Sequence, residues 1–287
     1  MMGADSPARS GATRPAGTGR IGSLAAPEPR YEIKYAITEP EAAWITRYIE
    51  PYCRPDPRIP AGASSYTVTS LYLDSAGLDF YWQKKTLQER RLKVRGRMYG
   101  PEPGGIVFVE VKRRVGDLIL KSRVPVHPDD WVRLLRADRS LLRPPRSASE
   151  ALRIEDFRNL VLCRDLRPVL AIRYERTPFI GRMESYSRLT FDRAIGWQRA
   201  GGPSFPAGEC GYRAMDFGVV LGCRGSPVLL EVKFSGRLPL WVEQMIRRLG
   251  LERQSFSKYV TAVDLMLSEG FLYRPDRLRS VVVGAHG

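Results

Sequence analysis

In the stretch ERRLKVRGRMY, residues 89–99, every second residue from Arg91 to Arg97 is basic. The four basic residues are Arg91, Lys93, Arg95 and Arg97. A β-strand projects successive side chains to opposite faces, so the pattern predicts one strand with four cations on a single face. Like charges repel at this spacing. The fold must therefore place something on that face that offsets their charge.

The composition indicates that the natural partner of this chain is an anion. Among its 287 residues, 46 Lys and Arg stand against 31 Asp and Glu, which gives a net charge of +15. Residues 1–29 hold only three Arg and two acidic residues, so nearly all of the excess lies in the remainder. Such a chain attracts nucleic acid, anionic membranes or polyphosphorylated molecules.

The cysteine and histidine content argues against zinc sites and disulfide scaffolds. The four Cys are scattered without a CxxC pair, and the chain has only two His. No apolar run reaches the length of a membrane span, and the N-terminus lacks the apolar region of a signal peptide. We therefore expect a cytoplasmic protein with no membrane segment of its own.

The pattern along the chain predicts one folded domain between two tails. Residues 1–29, rich in Gly, Ala, Pro, Ser and Arg, are expected to form a disordered N-terminal tail. The domain is expected at 30–270, followed by an irregular C-terminal tail at 271–287. Alternating and β-branched segments predict strands at 30–37, 65–74, 89–99, 106–114, 118–126, 167–180, 185–197 and 227–234. Helices are expected after Thr38 as N-cap, at 76–85, twice within 128–163, and at 239–249 and 257–269.

This order of elements predicts an α+β fold. The regular alternation of strand and helix that marks a doubly wound parallel sheet is absent. The best fit is a closed antiparallel eight-stranded β-barrel with peripheral helices, and one more short strand is expected near Met215–Leu221.

The opening pattern of charge recurs on the other predicted strands. Alternate positions give each of them a polar face that is mainly Arg and Lys. Its residues include Lys34, Lys112, Lys121, Arg123, Tyr174, Arg176, Arg188 and Lys233. For a single strand, a solvated surface explains such a face. Across seven strands of a barrel with apolar residues outside, the charged faces would line a polar tunnel for a long polyanion, with Arg123 and Lys233 among its binding residues.

Three glutamates on these faces are candidates for a metal site. Glu32, Glu110 and Glu231 each lie among basic residues on the face that we expect to point inward. Carboxylate oxygens suit Mg²⁺ or Mn²⁺, which bridge phosphate groups. The alternative is that each glutamate only pairs with a neighbouring Arg.

Several short motifs, taken in order, resemble the VTC domain, the polyphosphate polymerase domain of the vacuolar transporter chaperone type. They are RYEIKY, SLYLD, KVRGRMYG, FVEVKRR, LKSR, YERT, RLTFD, LLEVKF and FSKY, and they cover roughly 30–269. The resemblance implies membership of the triphosphate tunnel metalloenzyme group, which is CYTH-like. Each motif alone is weak evidence for the family, whereas nine motifs in the expected order make a strong match.

The resemblance also implies roles for individual residues. Arg95 and Arg97 correspond to a pair that holds the nucleotide triphosphate, and Glu231 to a metal-binding glutamate. The other matched positions are Lys34, Lys112, Lys121, Tyr174, Arg176, Arg188, Ser257 and Lys258. Ser255 departs from the yeast-type motif, which has a lysine there, and Glu32 with Lys34 gives only part of the ExExK signature of CYTH hydrolases.

The expected function is metal-dependent transfer of the γ-phosphate of ATP to a growing polyphosphate chain. ATP, inorganic polyphosphate and Mn²⁺ or Mg²⁺ are the expected ligands. A membrane-protein partner is left open. The alternatives are a metal-dependent triphosphatase on the same fold, a non-catalytic polyanion-binding module, or an RNA-binding protein. No RNP-like or KH-like motif is present, so no specific nucleic acid is expected.

Overall fold

The computed structural model describes residues 30–101, 105–136, 138, 143–183, 187–208, 210–216 and 227–269. The two expected tails and residues 217–226 lie outside this set. Within it, ten strands form one antiparallel sheet. They are β1 (Arg30–Ile37), β2 (Cys53–Pro55), β3 (Tyr66–Asp74), β4 (Arg90–Tyr99), β5 (Val107–Val115), β6 (Leu118–Val126), β7 (Arg167–Gly181), β8 (Ser187–Arg199), β9 (Arg213–Ala214) and β10 (Val228–Ser235).

Six helices accompany the sheet in the described residues. They are α1 (Glu39–Tyr48), α2 (Asp79–Lys85), α3 (Pro128–Leu135), α4 (Ala148–Cys163), α5 (Leu240–Leu249) and α6 (Lys258–Ser268). Thr38 caps α1 as expected, because its hydroxyl accepts from the Glu41 amide and the Glu41 carboxylate accepts from the Thr38 amide at 2.7 Å. None of these helices is both long and apolar enough to cross a bilayer.

The main strand path runs β1-β10-β8-β7-β3-β4-β5-β6, with β2 beside β7 and β9 beside β8. The α+β class and the antiparallel path of eight strands are therefore confirmed. A short strand lies at Arg213–Ala214, and most of the stretch in which the extra strand was expected, 217–221, lies outside the described residues.

The expectation of a closed barrel is wrong. In the part of the chain that the structure describes, the end strands β1 and β6 are not hydrogen-bonded to each other. A loop at 251–257 takes a place beside the free edge of β1 instead, since the Gln254 amide donates to the Lys34 carbonyl at 2.8 Å. Residues of β1, β5 and β6 nevertheless line one cavity together. The sheet is thus a curled, incompletely closed half-barrel.

Two hydrophobic layers cover the outer face of this sheet. On one side, Val109 and Val111 of β5 share a core cluster with Trp131 of α3 and Phe157 of α4. On the other side, the outward residues of β10 share a cluster with residues of α1 and α5: Val228, Leu230, Val232, Ile45 and Met245. Each such buried aliphatic side chain contributes roughly 1.5–3 kcal/mol. This arrangement leaves the charged faces of the strands on the concave side.

One helix packs against the concave side itself. The ring of Tyr259 in α6 stacks on Tyr72 of β3 with centroids 5.0 Å apart, and its hydroxyl donates to Asp74 at 2.6 Å. Val263 belongs to the same core cluster as Tyr174 of β7. The N-terminus of α6 is therefore held among the polar residues of the sheet, and it carries Lys258 there.

Candidate functional site

The guanidinium groups of Arg95 and Arg97 are oriented by groups on the two neighbouring strands. Arg95 Nε donates to Glu110 Oε2 at 2.7 Å and its Nη1 donates to the Tyr72 hydroxyl at 2.9 Å. Arg97 Nε donates to Ser70 Oγ at 3.1 Å. These contacts follow from the register, which sets Tyr72 and Glu110 on either side of Arg95. The paired arginines are thus preorganised side by side on the concave face.

Glu110 also binds a third arginine. Arg123 Nε lies 3.4 Å from Glu110 Oε1, and the Arg123 guanidinium stacks over Phe108 at 3.9 Å and donates to the Tyr99 hydroxyl at 3.2 Å. Burial would raise the pKa of Glu110, but Arg95 and Arg97 lower it to about 2. This glutamate is therefore ionised and acts as the shared counterion of the three arginines.

A second cluster surrounds the fully buried carboxylate of Asp192 on β8. Arg176 donates to it twice, with both distances 2.7 Å, and Lys258 Nζ lies 2.6 Å from Oδ2. Arg176 Nη2 and Lys258 Nζ also lie 3.5 and 3.7 Å from Glu231. The pKa of Glu231 is well below its ordinary value, because Lys233, Lys34 and Lys258 outweigh the effect of burial.

Lys34 lies between two of the predicted metal ligands. Its ammonium is 3.3 Å from Glu32 and 3.5 Å from Glu231, and it donates to the Phe256 carbonyl at 3.1 Å. Lys233 lies 2.9 Å from Glu231 on the other side. The pKa of Glu32 is lowered to about 2, since Lys233 and Lys34 more than offset burial and the nearby Glu231.

The concave face opens into a cavity of about 430 Å³ with a strongly cationic lining. Ten lining residues are basic and one, Glu32, is acidic. The basic residues are Arg30, Lys34, Lys84, Arg91, Lys93, Lys112, Arg114, Lys121, Lys233 and Arg253. A charge balance of this kind favours a multiply charged anion.

A row of three lysines crosses one wall of this cavity. Lys93, Lys112 and Lys121 are register partners on β4, β5 and β6. Among the residues that the structure describes, none of the three has a carboxylate within 4.0 Å. Burial and the neighbouring cations lower the pKa of Lys93 to about 8 and lower that of Lys112. An anion that entered the cavity would relieve this repulsion.

The remaining predicted residues lie nearby on the same face. Arg188 is paired with Asp56, which follows β2. Tyr174 is buried, and its ring faces the Lys258 ammonium at 4.6 Å. Ser257 lines the cavity, and Lys258 is buried.

The carboxylates fit a metal ion only if substrate supplies further ligands. In the described ranges, no three Asp, Glu, His or Cys side chains lie close enough together to hold an ion. Glu32 and Glu231 both contact Lys34, while Glu110 belongs to the separate arginine cluster. Mg²⁺ and Mn²⁺ commonly take one or two carboxylates and complete their shell with phosphate oxygens and water. Glu231 and Glu32 fit that arrangement, and an all-protein cage does not.

Sequence reasoning missed several polar residues of the site. Ser70 and Tyr72 orient the paired arginines, and Asp56 holds Arg188. Three cations surround the hydroxyl of Tyr72. Burial raises the pKa of Tyr72, but Arg95, Lys93 and Arg97 lower it to about 7. Ser70 and Tyr72 alternate along β3, so the sequence could have placed both side chains on the charged face. Asp56 lies in a loop after β2, and no periodicity predicts its contact with Arg188 of β8.

The chain belongs to the VTC domain family, whose model matches residues 29–267. It is 27% identical over 229 residues to vacuolar transporter chaperone complex subunit 4 of Schizosaccharomyces pombe. That match covers 69% of this chain and 32% of the relative, so the chain spans about a third of the relative's length.

One solved structure has a weak likeness to this protein. An X-ray structure of a proposed adenylate cyclase from Vibrio parahaemolyticus aligns with a TM-score of 0.41 and 10% identity. The alignment covers 82% of this chain and 98% of that one.

Proposed function

We propose that this protein is a polyphosphate polymerase that transfers the γ-phosphate of ATP to the end of a polyphosphate chain. Membership of the VTC domain family supports this proposal. The observation that carries it is the cationic cavity, whose lining has ten basic residues and one acidic residue and includes Arg91 and Lys93 of β4, the strand that also carries Arg95 and Arg97.

The residues of the concave face supply positioning and charge neutralisation. Arg95 and Arg97 hold the triphosphate of ATP, and the lysine row holds the end of the polyphosphate chain. An oxygen of the terminal chain phosphate forms a bond to the γ-phosphorus, and the bond from that phosphorus to the β,γ-bridging oxygen breaks. The electron pair leaves with ADP. The attacking oxygen is already anionic, so no general base is required.

The acidic residues keep this array of cations in place. Glu110 and Asp192 each bind two or more basic groups, so the cations are aligned before substrate arrives. Such preorganisation lowers the reorganisation needed in the transition state. Glu231 and Glu32 would hold Mg²⁺ or Mn²⁺, which when bound neutralises charge on phosphate oxygens.

The direct test is incubation with ATP and Mn²⁺, followed by measurement of ADP and gel detection of polyphosphate. Polyphosphate chains are expected, with one ADP released for each phosphate unit that is added. Release of inorganic phosphate without polyphosphate would show a triphosphatase instead, and ligand binding in EDTA without turnover would show a non-catalytic module. RNA binding that short polyphosphate does not displace would favour the nucleic-acid alternative.

A matched pair of variants tests the assigned face. Arg97→Ala should lower tripolyphosphate affinity about 10- to 100-fold, since a charged hydrogen bond contributes about 1.5–3 kcal/mol. Arg113→Ala is the control, because Arg113 lies on the opposite face of β5 and pairs with Asp156 of α4 at 2.7 Å. Equal losses in both variants would argue against the concave face as the binding surface.

A further inference from the structure

Two arginines of the cavity lining stand directly opposite each other, at the end of the β4–β5 ladder that lies away from Arg95 and Arg97. Arg91 of β4 and Arg114 of β5 are register partners, two residues along the strands from the pair Lys93 and Lys112. Like charges directly opposite in an antiparallel sheet are destabilising. The fold therefore bears two successive like-charge pairs at one end of the same ladder.

A further cation reaches this end of the cavity from another element. Lys84 of α2 lines the cavity with Arg91 and Arg114. We call these three residues the mouth cluster. Only Arg114 has a carboxylate within 4.0 Å in the described residues, and that partner, Asp117, is fully exposed to solvent. Burial and Arg114 lower the pKa of Arg91, and burial, Arg91 and Arg114 lower that of Lys84.

The mouth cluster differs in character from the arginine pair deeper in the site. Arg95 and Arg97 share the counterion Glu110 and also donate to Tyr72 and Ser70, so their charge is partly neutralised. Arg97 lies six residue steps from Arg91 along one strand, a span of about 20 Å. One triphosphate group is shorter than this span. A triphosphate held at Arg95 and Arg97 therefore leaves the mouth cluster without a ligand.

We propose that the mouth cluster is a binding site for additional phosphate units of a polyphosphate chain, beyond those held by the lysine row and the paired arginines. The site selects long chains over short ones, because only a long chain reaches it. This inference rests on the proposed function for the identity of the ligand. It assigns a role to Lys84, Arg91 and Arg114, which the polymerase chemistry itself does not need.

The experiment compares two ligands on the full chain by calorimetry at a fixed salt concentration. The ligands are tripolyphosphate and a polyphosphate several times longer, with affinity expressed per chain. In Arg91→Gln/Arg114→Gln, affinity for the long chain should fall about tenfold, while affinity for tripolyphosphate should change less than about twofold. Glutamine keeps most of the aliphatic stem that packs along the sheet.

The control variant is Arg247→Gln/Arg248→Gln, which removes the same charge from two exposed positions on α5. It should leave both affinities near the wild-type values. A tenfold loss of long-chain affinity in the control would overturn the proposal in favour of general charge attraction. An equal loss of affinity for both ligands in Arg91→Gln/Arg114→Gln would overturn the proposal as well, since the two arginines would then bind tripolyphosphate itself.

The wild-type protein separates this inference from the proposed function. If tripolyphosphate binds but the long chain binds no more tightly, the mouth proposal fails and the proposed function stands. If neither ligand binds, both fail. Thermal melting gives a second readout: Arg91→Gln should raise the melting temperature of the ligand-free protein by relieving the opposition to Arg114, and should reduce the extra stabilisation from the long chain.

Discussion

The ammonium group of Lys258, at the start of α6, lies 2.6 Å from the carboxylate of Asp192 on β8. This contact joins α6 to the charged face of the sheet. Asp192 is fully buried and also receives both hydrogen bonds of the Arg176 guanidinium. One carboxylate therefore neutralises two buried cations from two different elements, and Glu231 lies within 3.7 Å of both.

Asp192→Asn should strongly destabilise the ligand-free protein. The amide keeps the size of the side chain but removes the charge, which leaves Arg176 and Lys258 without their main counterion. Breaking a buried ion pair in this way costs about 3–5 kcal/mol. Urea denaturation measures the loss, and saturating tripolyphosphate should recover part of it, because phosphate replaces the missing negative charge.

Asp156→Asn is the matched control for that variant. Its pair with Arg113 is at 2.7 Å, but the Asp156 side chain is 42% exposed. The expected cost is therefore below about 1 kcal/mol. A similar cost for both variants would contradict the central role of Asp192.

Sequence reasoning reached the antiparallel strands because their alternation is strong. The segments at 30–37, 106–114 and 118–126 closely match β1, β5 and β6, and the repeated basic face predicted which side of the sheet is polar. It wrongly predicted that the strands close into a barrel. Whether β1 and β6 pair depends on the loop that bonds to the Lys34 carbonyl through Gln254, and no periodicity encodes that contact.

The same limit applies to the site. Alternation placed Arg95, Arg176 and Glu231 on one face, but spacing does not reveal which acid binds which base. The three glutamates expected together are instead divided: Glu110 serves the arginine cluster, while Glu32 and Glu231 share Lys34. The residues that orient the cations, such as Ser70 and Tyr72, look like ordinary strand residues until β3 is set beside β4.

The stability of the ligand-free protein and its affinity for polyanions should depend on pH in opposite directions. In the folded protein the pKa of Lys93 is about 8 and that of Tyr72 about 7, below their ordinary values of 10.5 and 10.0. Between about pH 7 and 10 the unfolded chain therefore holds more protons, so stability contributed by these groups rises with pH. Over the same range the cavity loses a cation and gains a phenolate, so affinity for tripolyphosphate falls.

The double variant Tyr72→Phe/Lys93→Met tests this assignment. Calorimetric titration with tripolyphosphate at several pH values should show a flatter pH dependence than in the wild type, and denaturation should show a flatter rise in stability. Titration of the ligand itself affects both proteins equally, so the difference between them isolates the two residues. If the pH dependence of both affinity and stability is the same in the variant and the wild type, Tyr72 and Lys93 are not its source.

Gly96 links the spacing of the paired arginines to the packing behind them. It lies between Arg95 and Arg97, and on the outer face a Cβ at this position would come within 2.9 Å of Trp131 and 3.0 Å of Phe205. Gly96→Ala should therefore displace Trp131 or β4 and cost about 1–3 kcal/mol, because overpacking of a close-packed core is costly. Any displacement of β4 also moves both guanidinium groups, so tripolyphosphate affinity should fall together with stability.

Gly105→Ala is the control, since nothing lies within 4 Å of its added Cβ and its φ is not positive. Urea midpoints and calorimetry on the two variants measure both effects. A Gly96→Ala protein with wild-type stability and affinity would show that β4 is not held by this contact.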